Sequence, residues 1–241
     1  MTLGIDNFTY ATFLSLDYGK SSGSGFSLRY RDCEYIVTAK HVLINENGDI
    51  RENTLLVTSQ NYIGELDDAR TIEIELDAIN VIFSETEDIA VISLGNNEHY
   101  NIQQEGNNIV QVTVDDISKL EDIQISNDVL LVGFPTSLYM EGAKFFDINR
   151  PLLRKGIIAG INEKDNTFII DCPAYYGNSG GPVLDSTDKN DLKIIGLVSR
   201  YIPFVTEWRN NREQSFSRQE FSNSGYAVCI PLDNIFELLK K

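Results

Sequence analysis

The feature that most constrains this chain is a succession of short apolar or alternating runs, separated by clusters of Gly, Asn, Asp and Ser. The runs are rich in Val, Ile, Thr and aromatic residues, which suit a pleated surface that is half buried. Strands at such short spacing favour a sandwich or barrels over alternating βαβ units, so the sequence predicts an all-β fold. The predicted strands cover residues 8–16, 25–29, 34–39, 55–59, 71–79, 89–94, 109–114, 129–134, 152–161, 167–171, 181–184, 193–199 and 226–230.

The 241 residues are enough for two small barrels packed together as one domain. We expect a first β-barrel in residues 1–95, a polar linker in 96–108, and a second β-barrel in 109–241. Apolar residues at helical spacing in 231–241 predict a C-terminal helix that packs on the second barrel. Residues 200–225 are expected to form an irregular insertion, which in a compact domain is often functional.

The formal net charge of −16 argues against binding to nucleic acid or to anionic lipid, because both need a basic face. The sequence has no basic and apolar leader of the signal-peptide type and no apolar run of membrane-spanning length. Cys33, Cys172 and Cys229 are odd in number and widely spaced, which predicts reduced thiols in a cytoplasmic protein. No Cys/His spacing suits zinc, and we expect neither a metal nor a cofactor.

Histidine-based chemistry has few candidates, because the chain contains only His41 and His99. His41 directly follows a predicted strand, which can hold a side chain rigidly. His99 lies in the polar linker among Asn and Glu residues. His41 is therefore the candidate general base.

The strongest local motif is the segment YGNSGGPV, residues 176–183, with Ser179 between glycines. Glycine permits positive φ, so the backbone can fold tightly around one exposed side chain. Consecutive N–H groups of such a turn can also converge on an oxyanion. A serine needs a neighbouring base to act as a nucleophile, and the alternative interpretation is a Gly-rich hairpin turn.

The same residues satisfy the pattern Gly177-x-Ser179-x-Gly181 that is found in α/β-hydrolases. In that fold the chain order is Ser, then acid, then His. Here both histidines precede Ser179, so the order excludes the α/β-hydrolase interpretation.

The order His, acid, Ser requires a carboxylate between His41 and Ser179. Asp88 leads directly into an apolar strand, and a partly buried carboxylate needs a partner. Glu85 and Glu87 remain alternatives.

The segments TAKHV around His41, DIAVI from Asp88 and GNSGGP around Ser179 together resemble the three signature segments of trypsin-like serine proteases. Segments 132–135 and 225–231 resemble the bacterial HtrA-like branch, whose PDZ domain is not expected here. Segment 22–26 resembles the glycine-rich strand entry that precedes the histidine segment in this family. The resemblance spans roughly residues 8–240.

This resemblance implies a chymotrypsin-like fold of two six-stranded antiparallel β-barrels with a C-terminal α-helix and the active site between the barrels. It implies His41, Asp88 and Ser179 as the catalytic triad, with the backbone N–H groups of Gly177 and Ser179 as the oxyanion hole. A peptide would pair with the strand around 196–200. The substrate-binding residues implied are Pro173, Ala174, Gly196, Val198, Ser199 and Gly225.

The specificity pocket is expected to be apolar or small, because Pro173 and Ala174 carry no charge. Asp171 lies nearby and could instead reach a basic side chain. Asn178 stands where digestive enzymes of the family have an acidic residue, so activation through a new N-terminus is not expected.

The sequence therefore predicts a serine endopeptidase that acts on proteins or peptides. Family context suggests an intracellular, regulated bacterial protease or a defence effector. A regulatory protein is expected to dock at residues 200–225. The alternative is a catalytically silent protein that uses the protease fold for binding.

Overall fold

The computed structural model describes residues 11–59, 69–95, 100–105, 112–138, 145–148, 150–189, 191–209 and 217–240. The strands of the first half are β1 Thr12–Leu16, β2 Ser21–Tyr30, β3 Cys33–Thr38, β4 Thr54–Ser59, β5 Arg70–Glu75, β6 Val81–Phe83, β7 Ala90–Ser93 and β8 Tyr100–Gln104. Those of the second half are β9 Asp128–Gly133, β10 Leu152–Asn162, β11 Thr167–Asp171, β12 Pro182–Asp185, β13 Lys193–Arg209 and β14 Ser217–Pro231. The α-helices are α1 Lys40–Leu43 and α2 Ile235–Leu238.

The strands form two separate antiparallel sheets, which confirms the predicted fold class. The first sheet has eight strands in the order β6-β7-β3-β2-β1-β4-β5-β8, more than the six expected. The second is a closed barrel of six strands in the order β10-β11-β14-β13-β12-β9. In the described part of the chain, neither α-helix is long and apolar enough to cross a membrane.

Part of the predicted linker belongs to the first sheet, because Tyr100–Gln104 pairs with β5. This strand is mostly exposed, so it lacks the alternation of apolar and polar residues that would reveal it. The strand expected over 109–114 is also wrong where it is described. Val112 makes a single bridge to Leu28, and a 3-10 turn follows at Val114–Asp116. His99 lies outside the described residues.

The C-terminal helix is much shorter than predicted, since β14 runs to Pro231 and α2 is a single turn. Its Ile235 and Leu238 belong to a buried apolar cluster that includes residues of both halves of the molecule. The ring of Phe236 lies 5.7 Å from that of Tyr30 in β2, and the Asn234 side chain donates to Glu87 at 2.9 Å. The helix therefore joins the two halves and does not cap the second barrel alone.

The prediction of an irregular insertion at residues 200–225 is wrong, because β13 and β14 continue far beyond the barrel. They pair from Gly196↔Pro231 out to Arg209↔Ser217. The neighbouring strands β12 and β11 accompany them only as far as Leu197 and Tyr226. We call the two-stranded extension, residues 200–209 and 217–225, the ribbon.

Ser24 in β2 links the first sheet to the second at a fully buried point. Its hydroxyl donates to the carbonyl oxygen of Gly177 at 2.6 Å and accepts from the N–H of Phe134 at 2.9 Å. Its backbone N–H donates to the carbonyl oxygen of Ser179 at 2.8 Å. The Thr38 hydroxyl donates to the Ser24 carbonyl oxygen at 2.7 Å. One residue thus fixes the Ser179 turn relative to the strand that precedes His41.

Replacing Ser24 with Ala leaves buried backbone groups of Gly177 and Phe134 without a partner. We expect the free energy of unfolding to fall by about 3 kcal/mol, since each unsatisfied buried group costs roughly 1–3 kcal/mol. Urea denaturation measures this change. Ser22→Ala is the control on the same strand, because Ser22 makes one partly buried contact with the Thr136 hydroxyl at 3.2 Å. Equal losses in the two variants would contradict the role of Ser24.

Candidate active site

His41 and Asp88 are brought together by the pairing of β3 with β7, in which Thr38 lies opposite Ala90. The chain leaves β3 and enters α1 at Lys40, while Asp88 lies just before β7. The Nδ1 atom of His41 lies 2.8 Å from Oδ2 of Asp88. The backbone N–H of His41 donates to the other carboxylate oxygen, Oδ1, at 3.0 Å. This double contact sets both the position and the orientation of the imidazole ring.

The Asp88 carboxylate also accepts a hydrogen bond from the Ser199 hydroxyl, at 2.5 Å. Burial by itself raises the pKa of Asp88. The hydrogen bond and charge of His41, the Ser199 hydroxyl and the His41 N–H together outweigh burial, and they lower the pKa from 3.8 to about 2. Asp88 is therefore ionised at neutral pH and can stabilise a protonated His41.

The structure separates Asp88 from the alternative acids. Glu87 accepts hydrogen bonds from the side chains of Asn166 and Asn234, at 2.7 and 2.9 Å, and is thereby held by the second half of the molecule. Glu85 is exposed. Of the three carboxylates, Asp88 is the one bonded to the His41 ring.

Ser179 lies in a turn whose glycines have no room for a side chain. Gly177 and Gly180 have φ values of 95° and 82°, which favour glycine. A Cβ at Gly180 would lie against the carbonyl oxygen of Ser24 and the hydroxyl of Thr38. Asn178 is buried, and its side-chain oxygen accepts from the N–H of Tyr175 at 2.9 Å, so its amide shapes the turn.

Some backbone N–H groups of the Ser179 turn donate hydrogen bonds to described residues, and two do not. The N–H groups of Asn178, Gly180 and Gly181 donate to the carbonyl oxygens of Tyr175, Val198 and Asn178. Among the described residues, nothing accepts from the N–H groups of Gly177 and Ser179. These two donors are therefore available to a ligand.

The carbonyl group of Tyr176 is held away from these two donors. It accepts from the N–H and the hydroxyl of Ser137, both at 3.3 Å. Since a trans peptide places its C=O and N–H on opposite sides, this contact directs the N–H of Gly177 away from Ser137.

His41 and Ser179 line one cleft of about 530 Å³ between the two sheets. The Ser179 hydroxyl donates to the carbonyl oxygen of Ser199 at 3.2 Å. Gly177 also lines the cleft. The predicted base His41, the predicted nucleophile Ser179 and the predicted oxyanion-hole residue Gly177 therefore lie around one cleft. Within the described ranges, no group of three His, Cys, Asp or Glu residues is arranged to hold a metal ion.

The residues expected to bind substrate divide into two groups. Ala174, Val198 and Ser199 line the cleft, whereas Pro173 and Gly225 are not among its lining residues. Gly196 is misplaced by the prediction, because it is buried in the barrel and paired with both Val183 and Pro231. It has no free edge at which a peptide could pair.

Two tyrosines that line the cleft together with Ala174, namely Tyr176 and Tyr201, were not predicted from the sequence. The rings of Tyr176 and Tyr201 meet edge to face with their centroids 5.8 Å apart, and their hydroxyl oxygens lie 3.5 Å apart. Asp171 is exposed in the ladder between β10 and β14 and is not among the lining residues. Ala174, Tyr176 and Tyr201 thus supply uncharged side chains to the lining of the cleft.

Three cationic residues that line the cleft were also missed, namely Lys20, Arg51 and Arg200. Lys20 immediately precedes the Ser-Gly-rich entry to β2, and Arg200 follows Ser199. Both lie next to segments that the sequence had already linked to the site, and this closeness could have identified them. Arg51 lies in a loop and had no such signal.

Comparison with known proteins shows which family the chain belongs to. Residues 23–197 match the family described as trypsin-like peptidase domain. The chain belongs to this family. Membership confirms the family expected from the sequence. A search of the curated proteins finds no match.

Solved structures share the fold at low sequence identity. The serine endoprotease from Yersinia pestis aligns with a TM-score of 0.54 and 18% identity over 98% of this chain. The chain spans 63% of the length of that enzyme. Deg5 aligns with a TM-score of 0.56 and 18% identity, over 96% of this chain and 88% of its own. A thermostable serine protease from an extremophilic microorganism gives 0.55 and 15%, over 92% and 89% of the two chains.

Replacing Asp88 with Asn tests its contacts through stability. Because the pKa of Asp88 is lower in the folded than in the unfolded chain, the ionised carboxylate stabilises the fold above about pH 4, and this effect is lost as the pH falls towards 2. The shift corresponds to about 2 kcal/mol. The difference in unfolding free energy between wild type and Asp88→Asn should shrink by about that amount over this range, as followed by urea denaturation. A difference that does not change with pH would contradict the assignment.

Proposed function

We propose that this chain is an active serine endopeptidase that cleaves peptide bonds through an acyl-enzyme intermediate. The observation that carries the proposal is the hydrogen bond between ionised Asp88 and Nδ1 of His41, a residue that lines the same cleft as Ser179. The two halves, 1–95 and 109–241, are proposed to work as one catalytic domain, because each supplies residues to this cleft.

In the proposed first step, the Ser179 hydroxyl leaves the Ser199 carbonyl and turns towards His41 as the peptide binds. Its oxygen attacks the peptide carbonyl carbon, and His41 takes the proton. The negative charge moves to the carbonyl oxygen, which accepts from the N–H groups of Gly177 and Ser179. Asp88 stabilises the imidazolium, and His41 then gives the proton to the departing amine.

The second step hydrolyses the acyl-enzyme. His41 takes a proton from a water molecule, whose oxygen attacks the ester carbon, and the proton passes to Ser179 as the acid product leaves. The Ser199 hydroxyl acts through Asp88 and is proposed as a positioning group. Val198 and Ser199 are proposed to line the path of the peptide, with Ala174 at the specificity pocket.

A regulated, cytoplasmic setting is proposed from the cysteines and from the ribbon. Cys33, Cys172 and Cys229 are free thiols, which suits a reducing compartment. Burial raises the pKa of Cys172 to about 11, so this thiol stays neutral and unreactive. A bacterial regulatory or defence role remains part of the proposal, with proteins or peptides as substrates.

Replacement of Ser179 with Ala is the direct test of the peptidase proposal. Wild type should react with a fluorophosphonate probe, releasing fluoride and labelling Ser179, and should generate new protein N-termini in a proteome digest. Ser179→Ala should lose the label and at least about 10⁴-fold in kcat/KM.

The control is Ser186→Ala, because the buried Ser186 hydroxyl makes no hydrogen bond among the described residues. This variant should label and cleave like wild type. A wild-type protein that neither labels nor cleaves, while folding normally, would favour the silent binding protein over the enzyme.

The ribbon is proposed to dock a partner protein, because it exposes large apolar side chains on both of its sides. Phe204 and Trp208 face one side and Val205 and Phe221 the other, as their cross-strand register requires. Such aromatic residues dominate protein interfaces. Since β13 continues directly into Ser199, a protein held by the ribbon also touches the strand that lines the cleft.

Shortening the ribbon tests this proposal. Val205 and Phe221 lie opposite each other, so residues 206–220 can be replaced by an Asn-Gly turn. We expect kcat/KM for an unfolded protein substrate, which is the docked protein in this test, to fall by about tenfold, the effect of losing roughly 1.4 kcal/mol of anchoring. A short peptide that occupies only the cleft should change by less than about twofold. Unchanged kinetics on the protein substrate would refute a docking role.

A further inference from the structure

The cleft carries the opposite charge character to the rest of the molecule. The chain has 36 acidic and 20 basic residues, for a formal net charge of −16. The cleft nevertheless contains Lys20, Arg51 and Arg200 among its lining residues. No Asp or Glu of the described residues lines it. This is a local reversal of charge at the place where a peptide would bind.

Arg51 is anchored directly behind the catalytic histidine. Its Nε donates to the carbonyl oxygens of His41 and Ile44, at 2.9 and 3.2 Å. The terminal nitrogens of a guanidinium carry four further N–H donors. No carboxylate forms an ion pair with Arg51 in the described part of the protein, and the residue is exposed. Its charge is therefore available to a ligand in the cleft.

Arg200 lies on the opposite wall, next to Ser199 on β13. It is exposed and, across the described ranges, has no carboxylate partner either. Lys20 differs, because its ammonium forms an ion pair with Asp17 and lies 3.9 Å from Glu52. The two arginines are thus uncompensated, whereas the charge of Lys20 is largely neutralised by neighbouring acids.

We infer that the cleft selects peptides with Asp or Glu close to the scissile bond, and that Arg51 and Arg200 are the residues that determine this specificity. This inference depends on the proposed peptidase function. A guanidinium can bind a carboxylate through two parallel hydrogen bonds, which gives both strength and geometric selectivity. The arginines lie on different walls, so each reads a different position of the peptide.

The overall negative charge of the protein restricts the peptide positions at which an acidic residue favours binding. Repulsion between an acidic peptide and the acidic surface is screened over about 8–10 Å at moderate salt, whereas a carboxylate in contact with a guanidinium is screened much less. Acidic residues beside the scissile bond therefore gain contacts. Acidic residues farther away meet only repulsion.

A set of peptides tests this inference, with Asp or Glu at each position near a common cleavage site and Asn or Gln in the matched partners. Wild type should cleave the best acidic peptide about tenfold faster in kcat/KM than its neutral partner. Arg51→Gln and Arg200→Gln should each reduce that ratio below about threefold, at different peptide positions.

Arg51→Lys keeps the charge and should retain part of the preference, which separates electrostatic selection from support of the His41 loop. Arg29→Gln is the matched control, because Arg29 is exposed and is not among the residues that line the cleft. This variant should leave the acidic-to-neutral ratio as in wild type. The ratio should also fall when the salt concentration is raised from about 0.05 to 0.5 M.

The outcomes distinguish this inference from the peptidase proposal. Cleavage of acidic and neutral peptides at equal rates, or a ratio that survives in both glutamine variants, would overturn the inference while Ser179 still labels with the fluorophosphonate probe. If no peptide is cleaved and Ser179 does not label, the peptidase function fails and the specificity inference fails with it.

Discussion

The arrangement of the cleft depends on the buried hydrogen bonds of Ser24. The proposed base lies in α1, directly after the first sheet, and the proposed nucleophile lies in a turn of the second half, so each could be well placed within its own half and still be misaligned with the other. Ser24 bonds to Gly177, Ser179 and Phe134 of the second half, and it accepts from Thr38 just before His41. These groups are all backbone except for two hydroxyls, and buried backbone groups must be paired. Moving one sheet relative to the other would leave some of these buried groups without a partner, which costs free energy. The two sheets are therefore held in one relative position.

Asp88 is the second point at which the two halves meet. Its carboxylate receives two hydrogen bonds from His41 in α1 of the first half and one from Ser199 in β13. The acceptor capacity of the carboxylate is largely used, which explains why its pKa falls despite burial. Since β13 runs on into the ribbon, the carboxylate that orients the histidine is bonded to the same strand that carries the exposed aromatic surface. This continuity is the physical basis for proposing that a docked protein could influence the site.

The local pattern of apolar and polar residues predicted the buried strands well and the exposed strands poorly. Residues 167–171 were predicted with the bounds that the structure has, because one side of that strand packs into the barrel. Tyr100–Gln104 and the ribbon were missed, since their strands have little or no burial and so no alternation of apolar and polar residues. Their structure depends on cross-strand hydrogen bonds between two segments, which the residue pattern within either segment does not show. The length of α2, which is a single turn, was overestimated. The spacing of the apolar residues in this segment reflects contact with both halves and not a longer helix.

The sequence by itself determined the all-β class, and it determined Ser179 and His41 as candidates, since three glycines around one serine and the scarcity of histidine are local facts. Asp88 needed the family resemblance, and only the tertiary structure separated it from Glu85 and Glu87, because hydrogen bonding to His41 depends on the pairing of β3 with β7. The tertiary structure alone placed Gly196 inside the barrel and brought Arg51 and Arg200 to opposite walls of one cleft. The charge of a cleft depends on which side chains converge in space, and an overall composition dominated by acidic residues does not contain that information.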